Sequence, residues 1–320
     1  MTPRARPIAA GGLVCACLAL LVLAVPLIAT EVRTAPVASV QPSPGQPAGP
    51  AAPPAVAAPP FGEGIARTAP AGLAQAAVDA AQATAQPSTE LGVAVLDRVT
   101  GETAVGARGD EPFYAASLAK LVVTVDVLDR RRTEGLVLTD DDVALIRRAL
   151  GPSDDSAMNA LWVRFDGAGS AARVSADLGL TGTTAPADPS QWGEMSVSAG
   201  DYLRLYTYVL DGLPAAYRDR VVGALAAAPS TAPDGFDQAF GLLDPVVDGR
   251  GAPGAVAKQG WMCCFSGQLY LHSAGVVGPA ERFVVVVLTR IPHGPGWDAA
   301  RAEVTAVASA AVRALTGPPG

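Results

Sequence analysis

The order of hydrophobic and polar positions from residue 71 onward predicts a mixture of helices and strands. Segment 71–85, "AGLAQAAVDAAQATA", has apolar residues at helical spacing and predicts an amphipathic helix. Segment 91–109 predicts two strands joined by a turn at Thr100-Gly101. Segments 267–278 and 282–291 predict two further strands, and the apolar positions of 296–315 predict a second amphipathic helix.

The middle of the chain is predicted to be helical. Segment 112–128, "PFYAASLAKLVVTVDVL", is apolar on nearly all sides of a helix, which indicates a buried helix. Segments 140–165 and 198–213 also predict helices. The order helix, two strands, many helices, strands and helix predicts an α+β fold, in which both chain ends build one antiparallel sheet and the middle forms an all-helical subdomain.

The N-terminal part has a different pattern. Residues 8–29 are 22 consecutive residues without a charge, preceded by Arg4 and Arg6. This length crosses a bilayer core of ~30 Å. We therefore expect an uncleaved signal anchor, with residues 1–7 in the cytoplasm and the rest of a single-pass protein outside it. The alternative, a lipoprotein acylated at Cys17, is disfavoured because Cys17 lies in the middle of the apolar run.

Residues 30–70 are rich in Pro and Ala and lack the apolar side chains that would form a core. Such a composition predicts an extended linker. The folded domain is accordingly predicted to cover residues 71–320.

Composition and charge exclude several classes of function. The net charge is −7 and the sequence has no basic patch with interleaved aromatic residues, so nucleic acid is not an expected partner. The two histidines are far apart and there is no CxxC pair, so we expect neither a metal nor another cofactor. The adjacent Cys263 and Cys264 are interpreted as two buried apolar residues of a strand, with a vicinal disulfide as the alternative.

Only two of the 23 Lys and Arg residues are lysines, Lys120 and Lys258. An arginine stays protonated, whereas a partly buried lysine can lose its proton and act as a base. Ser117 precedes Lys120 by three residues, which places both on one helix face. Ser117 also lies at the predicted helix start, where N–H groups and the helix dipole favour an oxyanion. The pattern therefore indicates a nucleophile beside a base.

Two further segments carry candidate chemistry. In "GPSDDSAMNALW", Gly-Pro ends one helix and Ser153 is predicted to cap the next, which contains Asp155 and Asn159, the single asparagine of the chain. In "VAKQGW", Lys258 is predicted to lie just before a strand, and Gly260 permits close backbone approach of a ligand.

In this order, the three segments resemble the active site of the serine β-lactamases and penicillin-binding proteins, whose pattern is S-x-x-K, S-D-N and K-T/S-G. The corresponding residues are Ser117 to Lys120, Ser153 to Asp155 and Lys258 to Gly260. The resemblance covers the chain from about Leu91 to its end. It implies an antiparallel sheet flanked by helices beside an all-helical subdomain, with the site between them.

The resemblance also implies residue roles. Ser117 would be the acylated nucleophile and Lys120 its general base. Ser153 would pass a proton to the leaving nitrogen, and Lys258 would lower proton affinities and help to bind a substrate carboxylate. The N–H groups of Ser117 and Trp261 would form the oxyanion hole.

This sequence departs from the family pattern at three places. Asp155 stands where an asparagine normally donates to the substrate, although a carboxylate can only accept unless it is protonated. Gln259 replaces a hydroxyl residue, and its amide is expected to donate in its place. The loop 183–200 lacks the glutamate of class A enzymes that activates the deacylating water, and Asp188 and Glu194 are the nearest candidates for that base.

The sequence thus predicts a membrane-anchored serine hydrolase that acts through a Ser117 acyl-enzyme, of the penicillin-binding or D-alanyl-peptidase type. The implied partners are a peptidoglycan peptide or a β-lactam. Two alternatives stay open: a true β-lactamase, and a non-catalytic domain that binds or regulates the cell wall.

Overall fold

The computed structural model describes residues 72–245, 247 and 255–316. The predicted cytoplasmic segment, signal anchor and Pro/Ala-rich linker lie outside the described residues. Within the described ranges, no helix is long and apolar enough to cross a membrane.

The main sheet has five antiparallel strands in the order β2-β1-β7-β6-β5, and β3 pairs with β4 in a separate two-stranded ladder. The strands are β1 Glu90–Asp97, β2 Glu102–Val105, β3 Phe113–Tyr114, β4 Ser196–Val197, β5 Val256–Phe265, β6 Gln268–Val277 and β7 Phe283–Pro292. Strands from both ends of the described domain meet at the β1–β7 pair, as the sequence predicts. Strands β2 and β5 are the two edge strands, so one side of the β5 backbone is open to other parts of the molecule.

Eight α-helices are described. They are α1 Leu73–Thr84, α2 Ala119–Thr133, α3 Asp140–Leu150, α4 Asp155–Arg164, α5 Gly167–Leu178, α6 Ala199–Thr207, α7 Ala215–Ala226 and α8 Gly296–Thr316. Helices α1 and α8 cover one face of the main sheet, where their apolar sides pack on alternate residues of β1 and β7 such as Val93 and Val285. The other residues of these strands, including Ala94 and Val286, join the core of the helical subdomain around α2.

Helix α2 is buried up to its last turn, as its all-round apolar pattern predicts. Every residue from Ala119 to Asp129 is buried, and Lys120 is 0% exposed. The α+β class with an antiparallel sheet and a helical subdomain is therefore confirmed. The two amphipathic helices and the strands of 91–109, 267–278 and 282–291 are also confirmed, within four residues at their ends.

Four local predictions were wrong or incomplete. Segment 112–118 forms β3 and a 3₁₀ turn before α2 begins, and segment 140–165 is interrupted between α3 and α4. Lys258 does not precede a strand but lies inside β5. Helices α5 and α7 were not predicted, because their small Ala, Gly and Ser residues or short apolar stretches give a weak helical pattern.

Candidate active site

Ser117 lies in a tight turn beneath the edge strand of the sheet. It is the central residue of the 3₁₀ turn Ala116–Leu118, which continues directly into α2. The preceding Ala116 has φ 47°, in the left-handed region that alanine adopts at a cost of about 1–2 kcal/mol. Gly260 of β5 faces this turn, and a Cβ at Gly260 would lie 3.1 Å from the carbonyl oxygen of Ala115. The glycine thus lets β5 approach the Ser117 turn, and close approach of a ligand to Gly260 stays a prediction.

Lys120 connects three groups of the site. Its Nζ lies 2.6 Å from Ser117 Oγ, 2.6 Å from Asp155 Oδ1 and 3.1 Å from the carbonyl oxygen of Ser153. The lysine and Ser117 are both buried, whereas the side chain of Asp155 is 60% exposed. The predicted nucleophile and base are therefore in direct contact, and a carboxylate that opens to solvent contacts the base.

Ser153 is held between the two lysines. Its Oγ lies 3.4 Å from Lys120 Nζ and accepts a hydrogen bond of 2.7 Å from Lys258 Nζ. The expectation that Ser153 caps α4 was wrong. Asp154 is the cap, with Oδ1 accepting from the N–H groups of Ser156 and Ala157. Ser153 instead adopts a left-handed conformation, φ 63°, which frees its hydroxyl for the lysines.

Gln259 does not present its amide to the site. Its Nε2 donates to the carbonyl oxygens of Gln238 and Phe240, and these two bonds use both amide hydrogens. In this structure the amide therefore donates within the protein, and its donation to a substrate stays a prediction. Its Oε1 is buried and accepts no hydrogen bond within the described part of the chain.

The backbone of Trp261 faces the open edge of β5. Tyr206 Oη lies between Lys258 and Ala274, because it accepts from the N–H of Lys258 and donates to the carbonyl of Ala274 on β6. The N–H of Lys258 therefore points towards β6. Since N–H directions alternate along an antiparallel strand, the N–H of Trp261 points away from β6, on the side from which Lys258 Nζ reaches the Gln259 carbonyl.

Trp192 is a site residue that the sequence reasoning did not identify. Its ring lies 4.5 Å from Lys120 Nζ, and its Nε1 donates to Oδ1 of Asn159 at 2.8 Å. Trp162 of α4 donates to the carbonyl of Pro189 in the same loop. A tryptophan isolated in an otherwise polar loop was the available signal.

The two candidate deacylation bases do not join this cluster. Asp188 accepts hydrogen bonds from the N–H and the hydroxyl of Ser190, and these bonds lower its pKa. Glu194 makes no side-chain hydrogen bond to Ser117 or Lys120 among the bonds that the described ranges contain. Asp155 is the carboxylate that contacts the base.

Burial dominates the protonation of both lysines. Burial lowers the pKa of Lys120, and the negative charge of Asp155 opposes that decrease. Burial lowers the pKa of Lys258 well below its ordinary value, and the charge of Lys120 lowers it further. Both shifts favour neutral amines, and a neutral Lys120 is able to accept the proton of Ser117.

Cys263 and Cys264 are exposed and joined in a vicinal disulfide, so the interpretation as buried apolar residues was wrong. With His293 they form a group in which potential ligand atoms lie within 4.8 Å of one another. Both sulfur atoms are used by the disulfide, which leaves no thiolate to bind a metal.

The arrangement provides a serine nucleophile, an adjacent amine, a hydroxyl relay held by a second amine, and backbone N–H groups at a helix start and a strand edge. These parts define a class of fold and site that can transfer an acyl group to a serine.

Comparisons with known proteins agree with this class. The sequence model of the family described as "Beta-lactamase enzyme family" matches residues 74–143. A protein of Mycobacterium tuberculosis described as "Putative lipoprotein LppW" is 35% identical over 219 residues, which cover 67% of each chain. The chain belongs to the superfamily of serine β-lactamases and penicillin-binding proteins.

Solved structures show the same fold at low sequence identity. PBP-A has a TM-score of 0.60 at 18% identity, over 76% of this chain and 96% of that chain. A class A β-lactamase from Mycobacterium abscessus has a TM-score of 0.56 at 18% identity, over 77% and 100% of the two chains. A β-lactamase from Sphaerobacter thermophilus has a TM-score of 0.58 at 22% identity, over 78% and 98%.

Proposed function

We propose that this protein is a serine acyl-transfer hydrolase of the penicillin-binding type, with Ser117 as its nucleophile. The observation that carries the proposal is the 2.6 Å contact between Ser117 Oγ and the buried Lys120 Nζ. A buried amine with a lowered pKa beside a hydroxyl is the arrangement that activates a serine.

The reaction starts when Ser117 Oγ attacks the carbonyl carbon of an amide. Lys120 Nζ takes the hydroxyl proton, and the N–H groups of Ser117 and Trp261 stabilise the oxyanion, which is worth ~3–4 kcal/mol per donor in other acyl-transfer enzymes. When the C–N bond breaks, Ser153 Oγ gives its proton to the leaving nitrogen and takes up the proton that Lys120 Nζ received from Ser117. Lys258, which donates to Ser153 Oγ, keeps this hydroxyl in place.

Deacylation is proposed to be slow with β-lactams. The Trp192 ring lies over Lys120, and neither Asp188 nor Glu194 hydrogen-bonds to the serine–lysine pair in the described ranges. Losing a general base decreases a rate by about 10²–10⁴-fold. This observation favours a penicillin-binding protein over a β-lactamase. A variant of PBP-A, which shares the fold, has been solved as an acyl-enzyme complex with penicillin G.

The proposed location is the outer side of the cell membrane, with a D-alanyl peptide of the cell wall or a β-lactam as the acyl donor. The relative described as a lipoprotein supports attachment to a membrane. The attachment is proposed to be the apolar run 8–29, with a lipid on Cys17 as the alternative.

A fluorescent penicillin tests the proposal. We expect it to label the full-length protein covalently and the Ser117→Ala variant not at all, while a chromogenic cephalosporin is not turned over at an appreciable rate. Rapid cephalosporin turnover would make the protein a β-lactamase. Absence of labelling by both the penicillin and a fluorophosphonate would indicate the non-catalytic alternative.

A further inference from the structure

The charges around Ser117 are arranged for a substrate unlike penicillin. Lys120 and Lys258 are 0% and 1% exposed, so neither presents its charge at the surface. Asp155 and Asp234, in contrast, are exposed carboxylates near the base. We propose, on the basis of the proposed function, that among D-alanyl donors the site selects those that carry an ammonium group near the scissile carbonyl and disfavours those that carry an additional carboxylate there.

Asp155 supplies the first argument. Its Oδ1 lies 2.6 Å from Lys120 Nζ, and the same Nζ lies 2.6 Å from Ser117 Oγ. The amine of Lys120 therefore lies between this carboxylate and the nucleophile. A carboxylate accepts hydrogen bonds and cannot donate them unless it is protonated. A substrate group at Asp155 is therefore stabilised when it is an N–H donor, and most strongly when it is a cation.

Asp234 supplies the second argument. Its two oxygens are fixed, since Oδ2 accepts from Trp261 Nε1 at 3.0 Å and Oδ1 accepts from the N–H of Phe236 at 2.9 Å. Its charge acts on Lys120 in the same direction as that of Asp155, which places it within electrostatic reach of the base. The carboxylate is thus held by one residue of β5 and by one residue of the segment between α7 and β5.

An aromatic surface accompanies these acids. Trp261 and Phe236 stack with ring centroids 4.7 Å apart and planes 7° from parallel, and both are half-buried. We call Asp155, Asp234, Trp261 and Phe236 the acidic–aromatic mouth. The two rings face each other, and Lys258 Nζ lies 5.9 Å from the centroid of the Trp261 ring. The rings therefore supply apolar contact, and the carboxylates attract the cation.

The arginines around this mouth do not offset its charge. Arg148 is paired with Asp154 by a 2.9 Å hydrogen bond. Arg301, whose Cζ lies 5.7 Å from the Phe236 ring, is paired with Asp298 at 2.6 Å and with Asp237 at 3.4 Å. A carboxylate-bearing donor such as penicillin would meet excess negative charge, so its labelling of Ser117 should be slow even when the adduct persists.

Three thioesters of D-alanine test the proposal, with a free ammonium, an N-acetyl or an N-succinyl group. In each, Ser117 Oγ forms the new C–O bond, the C–S bond breaks and the thiolate takes the serine proton. The rate of acyl-enzyme formation is followed by intact-mass spectrometry of the full chain, for the wild type, Asp234→Asn and Asp177→Asn. Asp177 is an exposed acid of α5 and serves as the matched control.

In the wild type we expect the ammonium thioester to acylate fastest and the succinyl thioester slowest. Asp234→Asn should decrease the ratio of these two rates by about fivefold, the effect of ~1 kcal/mol, whereas Asp177→Asn should leave the ratio unchanged. The different intrinsic reactivities of the thioesters cancel because the same compounds are compared across variants.

A fluorophosphonate separates failure of this inference from failure of the proposed function. The selectivity proposal alone is overturned if the fluorophosphonate labels Ser117 while the three thioesters acylate it at rates that do not depend on their charge. The same conclusion follows if the fluorophosphonate labels Ser117 and no thioester acylates it. Absence of labelling by both the fluorophosphonate and a fluorescent penicillin overturns both proposals. An equal decrease of the ratio in Asp177→Asn would show that net charge, and not the acidic–aromatic mouth, sets the preference.

Discussion

The two lysines have different tasks at the residue scale. Lys120 must accept a proton, which an arginine cannot do, whereas Lys258 must donate to Ser153 Oγ, which an arginine can do. We expect Lys120→Arg to decrease acylation by about 10²–10⁴-fold and Lys258→Arg to retain partial activity. Rates of labelling by a fluorophosphonate measure both, with circular dichroism as the check that each variant folds.

Equal, full activity of the two arginine variants would contradict the assignment of Lys120 as the base. Equal loss with intact folds would show that charge placement at Ser153 matters as much as proton transfer.

The pH dependence of acylation should report on Asp155. The base must be neutral, so acylation increases with pH up to the pKa of Lys120. The negative charge of Asp155 raises that pKa against the effect of burial. Asp155→Asn removes the negative charge, so the rising limb of the pH–rate profile should move to lower pH. A rising limb that stays in place or moves to higher pH would contradict the ion-pair account.

At the scale of elements, the start of α4 positions Ser153. Asp154 caps this helix and pairs with Arg148, so Asp154→Ala should cost about 1–2 kcal/mol and also slow acylation. Thr139→Ala removes the equivalent cap of α3, away from the site. Melting temperatures and labelling rates of the two variants are the measurements.

Both variants should lower the melting temperature by a few degrees, about 2–4 °C per kcal/mol. Only Asp154→Ala should slow acylation, because only that cap holds a residue in contact with the lysines. A similar slowing in Thr139→Ala would mean that general loosening of the helical subdomain, and not the position of Ser153, controls the rate.

The elements also show what the sequence could predict. Period-two and helical patterns located the strands and amphipathic helices, and the spacing of Ser117 and Lys120 located their contact. The pattern could not distinguish Ser153 from Asp154 as the cap, since both are good caps. The side-chain direction of Gln259 and the contact of Trp192 with Lys120 depend on distant segments, which local periodicity does not encode.

For the whole molecule, the central question is how the domain is attached to the cell. The predicted anchor and linker imply that protease applied to intact cells releases a soluble fragment that begins within residues 30–70. Intact mass of the membrane-bound form separates the two hypotheses, because a signal anchor keeps residues 1–16 and carries no lipid, whereas a lipoprotein begins at an acylated Cys17. A full-length protein in the soluble cytoplasmic fraction would contradict both.

The account as a whole depends on one chemical claim, that Ser117 forms an acyl-enzyme whose hydrolysis lacks an efficient base. Intact-mass spectrometry of the full-length protein after addition of benzylpenicillin at high concentration, followed over time, measures both halves of this claim. The account predicts a single adduct on Ser117 that forms slowly and persists for minutes or longer after excess penicillin is removed. Steady consumption of penicillin with no adduct at any time would contradict it.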